Sequence, residues 1–292
     1  MSFLVRAAER KQAKLRMAFM GPSGSGKTTS AVRVAHGIGE SVVAIDTEHH
    51  RADLCADIMP FGVIDLEEPY SPERYVEALH AAEASGAGTI IIDSLTHEWS
   101  GIGGILEIQT QLANSPKMTP FMAWAKVTPR HKALIDAILR SPAHIIVTLR
   151  TKTKWVIQED GGRSKPERVG LDPVQKDDIE YEFMASFLLD HEHHAYPVTD
   201  HTGLFEPMAI IDRPNEEMGS KLLAWLNSGV DPDRSAEYRS EMRQLIVQSG
   251  LSWDDYRTSL ITRGIALPDA APALWKADDY ATVLAAIKAA TP

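Results

Sequence analysis

Apolar residues in the first half of the chain gather into short unbroken runs. Residues 17–20, 41–46, 89–93 and 144–149 are nearly continuous apolar stretches, and residues 61–65 form a shorter one. Strands covered on both faces read this way, which predicts a central parallel sheet. Between the runs the apolar spacing turns helical. Residues 29–36 follow the first run. Ser71, Pro72 and Glu73 supply a cap and a proline at the first helical position, after which Val76, Leu79 and Ala82 share a face. Residues 126–140 set Leu134, Ile135, Ile138 and Leu139 on one side until Ser141 and Pro142 end the helix. Strands alternating with helices predict a doubly wound α/β sheet with ligands at the carboxyl ends of its strands.

The pattern changes after Arg150. Residues 155–158, the pair Gly161-Gly162 and a return limb toward Val169 predict a projecting β-hairpin. Residues 183–189 and 195–199 read as further strands, expected to be antiparallel. A helix over 219–227 is followed by linker composition at 228–234. Beyond it everything is helical: Met242, Leu245 and Ile246 share a face, as do Trp253, Tyr256 and Leu260, and then Tyr280, Val283, Leu284 and Ile287. Ser252 with Asp255 resembles a helix-starting box. The expected division is a core over 1–228, a linker over 229–234 and a small helical module over 235–292.

Composition narrows the function classes. The chain has 292 residues and a formal net charge of −10, which argues against coating nucleic acid with the whole surface and confines any such contact to a local patch. No apolar run approaches the roughly 18 residues of a membrane span. The basic start, with Arg6, Arg10, Lys11, Lys14 and Arg16, lacks an apolar signal core, which leads us to expect a cytoplasmic protein. The single cysteine, Cys55, rules out an internal disulfide framework. His191, Glu192, His193, His194 and His201 match no closed zinc spacing and read as a polar hairpin; His49 and His50 read as loop residues.

The strongest chemistry is Gly21, Pro22, Ser23, Gly24, Ser25, Gly26, Lys27 and Thr28, which match G-x-x-x-x-G-K-[ST] between a strand and a helix, with Thr29 next. Glycines there let backbone N–H groups converge on a triphosphate at a helix N-terminus. Lys27 would reach the β- and γ-phosphates, and Thr28 would hold Mg²⁺. Asp93 closes an apolar strand, where a carboxylate serves the Mg²⁺ shell directly or through water. Ser94 and Thr96 either sense phosphate or cap a turn. Glu48, two residues past a strand end, is placed to polarise an attacking water or to be a solvated loop acid. Arg150, Lys152, Lys154, Arg163, Lys165 and Arg168 concentrate positive charge, either for a γ-phosphate, for a nucleic-acid backbone, or for solubility.

These segments resemble the RecA recombinase family. The stretch from Ala44 through Asp46 and Glu48 to His49 is similar to that family's strand with its catalytic glutamate, and Ile91 to Ser94 is similar to its Walker-B strand. More narrowly, residues 93–99, 101–104, 149–155, 170–175 and 179–183 resemble phage-encoded RecA-like ATPases that accompany single-strand annealing recombination. The likeness runs over about 14–227 and implies an α/β RecA-like P-loop NTPase core with a mostly parallel sheet, flanking helices and a β-hairpin insertion. It also implies ATP and Mg²⁺ as ligands, with Glu48 as base, Lys27 and Arg150 as charge stabilisers, and Lys152 or Lys154 completing a neighbour's site in a ring or filament. Single-stranded DNA would lie along Arg163 and Lys165, in a bacterial host. Gly101–Gly104 stands where the recombinases carry a flexible DNA loop. The chain departs from the family in having Thr148, Leu149 and Arg150 where a phosphate-sensing glutamine is expected. The helical module resembles appendages that dock a recombination or single-strand-binding partner. Two other readings are a P-loop switch acting on a protein without DNA, and a small-molecule kinase, for which no lid is evident.

Overall fold

A computed structural model describes residues 8–160, 163–177, 179–269 and 275–289; the side chains of 154–160, 163–170, 232–237 and 277 are outside the description. Arg6 and the turn at Gly161-Gly162 therefore lie outside the described residues, as do the side chains of Lys154, Arg163, Lys165 and Arg168.

The chain begins its sheet with β1 (Arg16–Gly21), wholly buried, and turns into α1 (Lys27–Ile38). There follow β2 (Val42–Asp46), β3 (Gly62–Asp65), α2 (Pro72–Ala84) and β4 (Thr89–Asp93). Next come α3 (Thr96–Ser100), α4 (Ile105–Ala113) and α5 (Pro120–Arg140). The hairpin strands β5 (His144–Asp160) and β6 (Arg163–Pro173) precede β7 (Ala185–Leu189), β8 (His194–Asp200) and β9 (Ile211–Asp212). Among the described residues four helices follow: α6 (Glu216–Asn227), α7 (Pro232–Ser249), α8 (Trp253–Thr262) and α9 (Ala277–Ala289).

Among the described residues the sheet order is β3-β2-β4-β5-β1-β7-β8-β9, with β6 pairing β5 outside that row. The six strands from β3 to β7 are parallel, and the antiparallel partners are β8, β9 and the hairpin limb β6. This is the expected RecA-like α/β architecture. One detail is corrected: β7 lies parallel beside β1, so of the two strands read over 183–199 only β8 runs antiparallel to the core. The apolar side chains of β1, β4 and β5 pack with α2 and α5 in one buried cluster that includes Ile90, Ile92, Leu134, Ile145 and Val147. Pairing of Asp46 with Asp65 and with Asp93 puts three strand ends level at the carboxyl edge.

Two elements depart from the pattern-based reading. Helix α5 starts at Pro120 rather than near 126, because Thr119 caps it by accepting from the Met122 N–H at 3.3 Å. The Gly101–Gly104 stretch is no flexible loop. The Ile102 carbonyl accepts from the Tyr70 N–H at 2.7 Å, and a Cβ on Gly101 would meet Tyr70 Cδ2 at 2.7 Å, so the turn is packed between α3 and α4.

The contacts separate two compact units, Lys14–Leu223 and a second made of Met1–Ala13 with Ala224–Pro292. Residues 8–13 therefore group with the C-terminal helices, whereas the sequence had assigned them to a core of 1–228. Backbone pairing explains this: Gln12 N–H donates to the Val230 carbonyl at 2.9 Å and Val230 N–H to Arg10 at 2.8 Å, inside the stretch read as a linker. Arg10 also lies 5.0 Å over the Trp225 ring. In this unit Met242, Tyr256, Leu260, Trp275, Val283 and Ile287 form a separate core. Arg16, grouped by sequence with the basic N-terminus, is buried, and its guanidinium donates to the carbonyls of Leu15, Leu139, Ser141 and Ala143. Burial lowers its pKa to about 10, with Glu83 opposing. It serves the fold and is not open to DNA.

Helix α1 crosses α6 at two glycines. A methyl on Gly37 would come within 2.8 Å of Glu216 Cα, and one on Gly219 within 3.0 Å of Gly37 Cα. Helix propensity favours Gly37→Ala by about 1 kcal/mol, but overpacking against backbone costs about 1–3 kcal/mol. The clash should win, and the urea midpoint of Gly37→Ala should fall below that of the parent.

At the start of β5, His144 is 2% exposed and its Nδ1 accepts the Leu15 N–H at 3.1 Å. Burial, helped by the Lys14 and Arg16 charges, depresses its pKa from 6.5 to about 4. The unfolded chain takes up this proton near 6.5 and the folded chain resists until about 4. Stability is thus whole above that window and falls as pH drops through it, by on the order of 3 kcal/mol. His144→Asn, whose Oδ1 accepts the same bond without titrating, should flatten that part of the pH–stability profile.

Candidate active site

The carboxyl ends of β1, β2, β4 and β5 open on a cleft of about 300 Å³ beside the start of α1. Residue Gly21 leaves no room for a side chain: a Cβ would meet Ser25 Oγ at 2.6 Å and the Leu189 carbonyl at 2.7 Å. Gly24 and Gly26 have φ of 84° and 85°, a left-handed turn that other residues adopt only at a cost. This winds the loop so that Ser23, Gly24, Gly26, Lys27, Thr28 and Thr29 face the cleft. Ser25 is buried, and its N–H donates to the Pro22 carbonyl at 3.3 Å within the loop. Lys27 Nζ donates to the carbonyls of Gly21 at 3.0 Å and Pro22 at 2.8 Å. Burial lowers its pKa to about 8, against the pull of Asp93 and Glu48.

Asp93 is 2% exposed. One carboxylate oxygen accepts from Thr28 Oγ1 at 2.6 Å, and the other accepts from Thr148 Oγ1. Burial raises its pKa, the two hydroxyls opposing and the negative charges of Glu48 and Asp46 adding. A hydroxyl and a carboxylate side by side at a helix start form an oxygen-only donor set, which fits a hard divalent cation such as Mg²⁺.

Glu48 is buried on the opposite wall. Its position follows from Asp46, whose carboxylate accepts the N–H groups of Glu48 at 2.5 Å and Ala52 at 3.0 Å and so folds the loop after β2. Arg150 grips the Glu48 carboxylate with two bonds, Nε to Oε1 at 2.7 Å and Nη2 to Oε2, and Arg51 adds a third at 3.3 Å. Burial alone would raise the Glu48 pKa. The hydrogen bonds and charge of Arg150, with the charge of Arg51, outweigh it and hold the carboxyl below its ordinary value. His97, bonded to Thr47 Oγ1 at 2.7 Å and stacked on Tyr70, is kept neutral by burial more than Glu48 favours its charge.

The structure brings Lys27, Thr28, Glu48, Asp93 and Arg150 around one cleft. Thr96 Oγ1 accepts the Arg150 N–H at 2.9 Å, so it anchors a backbone. Ser94 Oγ is buried without a partner. Lys152 lies elsewhere, on a second cleft of about 590 Å³ where Trp99 and Trp124 stack at 5.8 Å. Residues 191–193 form the turn between β7 and β8, with His193 at φ 69°. Asp190, Glu192 and His194 place ligand atoms within 4.8 Å of one another, but the Asp190 carboxylate already accepts two backbone N–H groups and the Tyr196 hydroxyl. Sequence reasoning missed Arg51, Cys55 and His193 as cleft residues and Thr148 as the buried partner of Asp93; the replacement of the recombinases' glutamine by the Thr148–Arg150 stretch was a signal for Thr148 alone.

Sequence and structure comparisons bear on this geometry. The profile of the AAA domain family matches residues 13–183, which contain the P-loop, Glu48, Asp93 and Arg150. No curated protein matches the chain. Among solved structures it is similar to a KaiC-like protein from the hyperthermophilic archaeon Pyrococcus horikoshii OT3, with 13% identity, 70% of this chain and 93% of that chain covered, and a TM-score of 0.38. The family match spans more than half of the chain, and the chain belongs to the AAA domain family of P-loop ATPases.

Proposed function

We propose that this chain is a Mg²⁺-dependent ATPase that works with single-stranded DNA in phage recombination or replication, assembled as a ring or filament. The observation that carries the catalytic part is the buried Glu48 carboxylate, facing Lys27 and Asp93 across one cleft and held ionised by Arg150. Bound Mg²⁺ would be held by Thr28 and Asp93 and would supply positive charge at the β- and γ-phosphates. Lys27 leaves the carbonyls of Gly21 and Pro22 for the phosphates, whose charge restores its own. Glu48 orients a water in line with the γ-phosphate and takes its proton. Arg150, released from Glu48 as that happens, stabilises the charge on the transferred group. The DNA part rests on the cationic hairpin and on Lys152 beside the Trp99–Trp124 cleft, since aromatic faces next to lysines suit unpaired bases. The helical C-terminal unit has its own core and is proposed to dock a protein partner.

Glu48→Gln should bind ATP as the parent does and turn over about 10²–10⁴-fold more slowly, the range for losing a general base. Lys27→Ala should lose both binding and turnover. Single-turnover hydrolysis beside equilibrium ATP binding separates the two, and a Glu48→Gln protein working at the parental rate removes Glu48 from the chemistry.

For DNA, affinity should fall steeply with salt. Replacing Arg163 and Lys165 with Ala should shallow the log–log slope by roughly 0.7 per lost phosphate contact, while basal ATP turnover stays near the parent's. An unchanged slope, together with no stimulation of the parent by single-stranded DNA, would favour a P-loop switch acting on a protein.

A further inference from the structure

A side cleft of about 230 Å³ runs along the start of α1, lined by Thr29, Ser30, Arg33, His193, Arg213 and Pro214. It is continuous with the phosphate cleft, because Gly26, Thr29 and His193 line both. His193 stands at the junction. Its Nδ1 lies over the P-loop, where a Cβ on Gly26 would approach it to 2.9 Å, and that atom is buried with no hydrogen-bond partner among the described residues. A buried donor or acceptor left unmet is costly, and such groups call for a missing ligand atom.

The backbone that presents these residues is also unusual. His193 and Arg213 both adopt left-handed φ, 69° and 45°, without being glycine. Such backbone is disfavoured for a residue with a side chain, because its Cβ crowds the neighbouring carbonyl. The two are tied together, Arg213 N–H donating to the His193 carbonyl at 3.2 Å. Asp190 fixes the turn from within through the N–H groups of Glu192 and His194. Strain held in place at the mouth of a cleft is a mark of binding residues. The lining suits a flat heteroaromatic ring: guanidinium planes of Arg33 and Arg213 stack on bases, and Pro214 adds an apolar wall. Among the described residues no carboxylate lines it to read the N1–H and amino group of guanine; Glu216, outside the lining, pairs with Arg33 at 3.7 Å.

We propose that this side cleft is the base and ribose subsite of the nucleotide, with His193 at the ribose and Arg33, Arg213 and Pro214 around a purine ring. The inference rests on the reading of the P-loop cleft as a nucleotide site. The triphosphate occupies the P-loop, and the nucleoside leaves along α1 past His193. Stacking makes the subsite selective for purines over pyrimidines and only weakly selective between adenine and guanine.

The test uses the full chain with Mg²⁺ and measures equilibrium binding of ATP, CTP and inorganic tripolyphosphate. Glycine is at ease at both left-handed positions, so His193→Gly and Arg213→Gly remove the side chains without adding strain, and thermal melting confirms that each variant is folded. The parent should bind ATP more tightly than CTP. Each variant should lose about tenfold or more in ATP affinity, the scale of one stacked base, with tripolyphosphate affinity unchanged and the preference for ATP over CTP reduced. ATP affinity within twofold of the parent in both variants overturns the subsite, as does an equal loss for ATP and tripolyphosphate. A parent that binds neither ATP nor tripolyphosphate defeats the nucleotide reading itself and the subsite with it.

Discussion

A carboxylate taken out of water costs several kcal/mol unless its lone pairs are met, and Asp93 is met by two hydroxyls from two different elements. Thr28 belongs to the first turn of α1, and Thr148 to β5. The buried acid therefore locks three parts in register: the end of β4, the beginning of the P-loop helix, and the strand that continues to Arg150. Removing either hydroxyl would leave a charge with an unmet oxygen in a nearly closed site. The same three-way contact keeps Thr28 oriented for a cation, so what holds the fold at this point also builds the site.

Around that acid the cleft is balanced by opposed charges. Lys27 is lowered by burial, Asp93 is raised by it, and Glu48 would be raised but for Arg150 and Arg51. Each group in the set is ill at ease without the others. On the function proposed above, an incoming polyphosphate with a divalent cation would change this balance at once: its negative charge would draw Lys27 away from the loop carbonyls and compete with Glu48 for Arg150. The resting arrangement thus favours exchange of partners over a fixed network, which a site for anionic substrate requires. His97 and Thr47 stand behind Glu48 without charge and limit how far that exchange spreads.

Much of this was legible in the chain because it rests on local chemistry. A strand buried on both faces cannot hide its apolar run, and a loop that must turn left-handed twice shows its glycines. The RecA-like sheet, the P-loop, Asp93 and the hairpin followed from such signals. What escaped depends on residues far apart in sequence. The Gly101–Gly104 turn looks flexible until Tyr70 is seen to fill the space above it. Arg16 looks like one more basic side chain, yet four carbonyls brought together by folding consume it. Residues 8–13 carry no sign that their backbone will pair beside Val230. Arg51 and His193 reach the cleft, and Thr148 reaches Asp93, from three separate parts of the chain, and only the assembled sheet brings them together.

Strand β5 passes without interruption from the core, through Arg150, into the hairpin. Thr148 touches Asp93, Arg150 holds Glu48 with its N–H pinned by Thr96, and the same strand runs on to Asp160. At about 3.3 Å per residue the far end stands on the order of 30 Å from Arg150. The strand leaves the parallel row at Arg150, the last residue paired with β1, and from Thr151 onward it pairs with the return limb at Pro173. One unbroken backbone therefore carries both the arginine that holds Glu48 and the root of the hairpin. A bidentate ion pair fixes the plane of its guanidinium as well as its distance, so the contact that orders the cleft also sets the direction in which the hairpin departs.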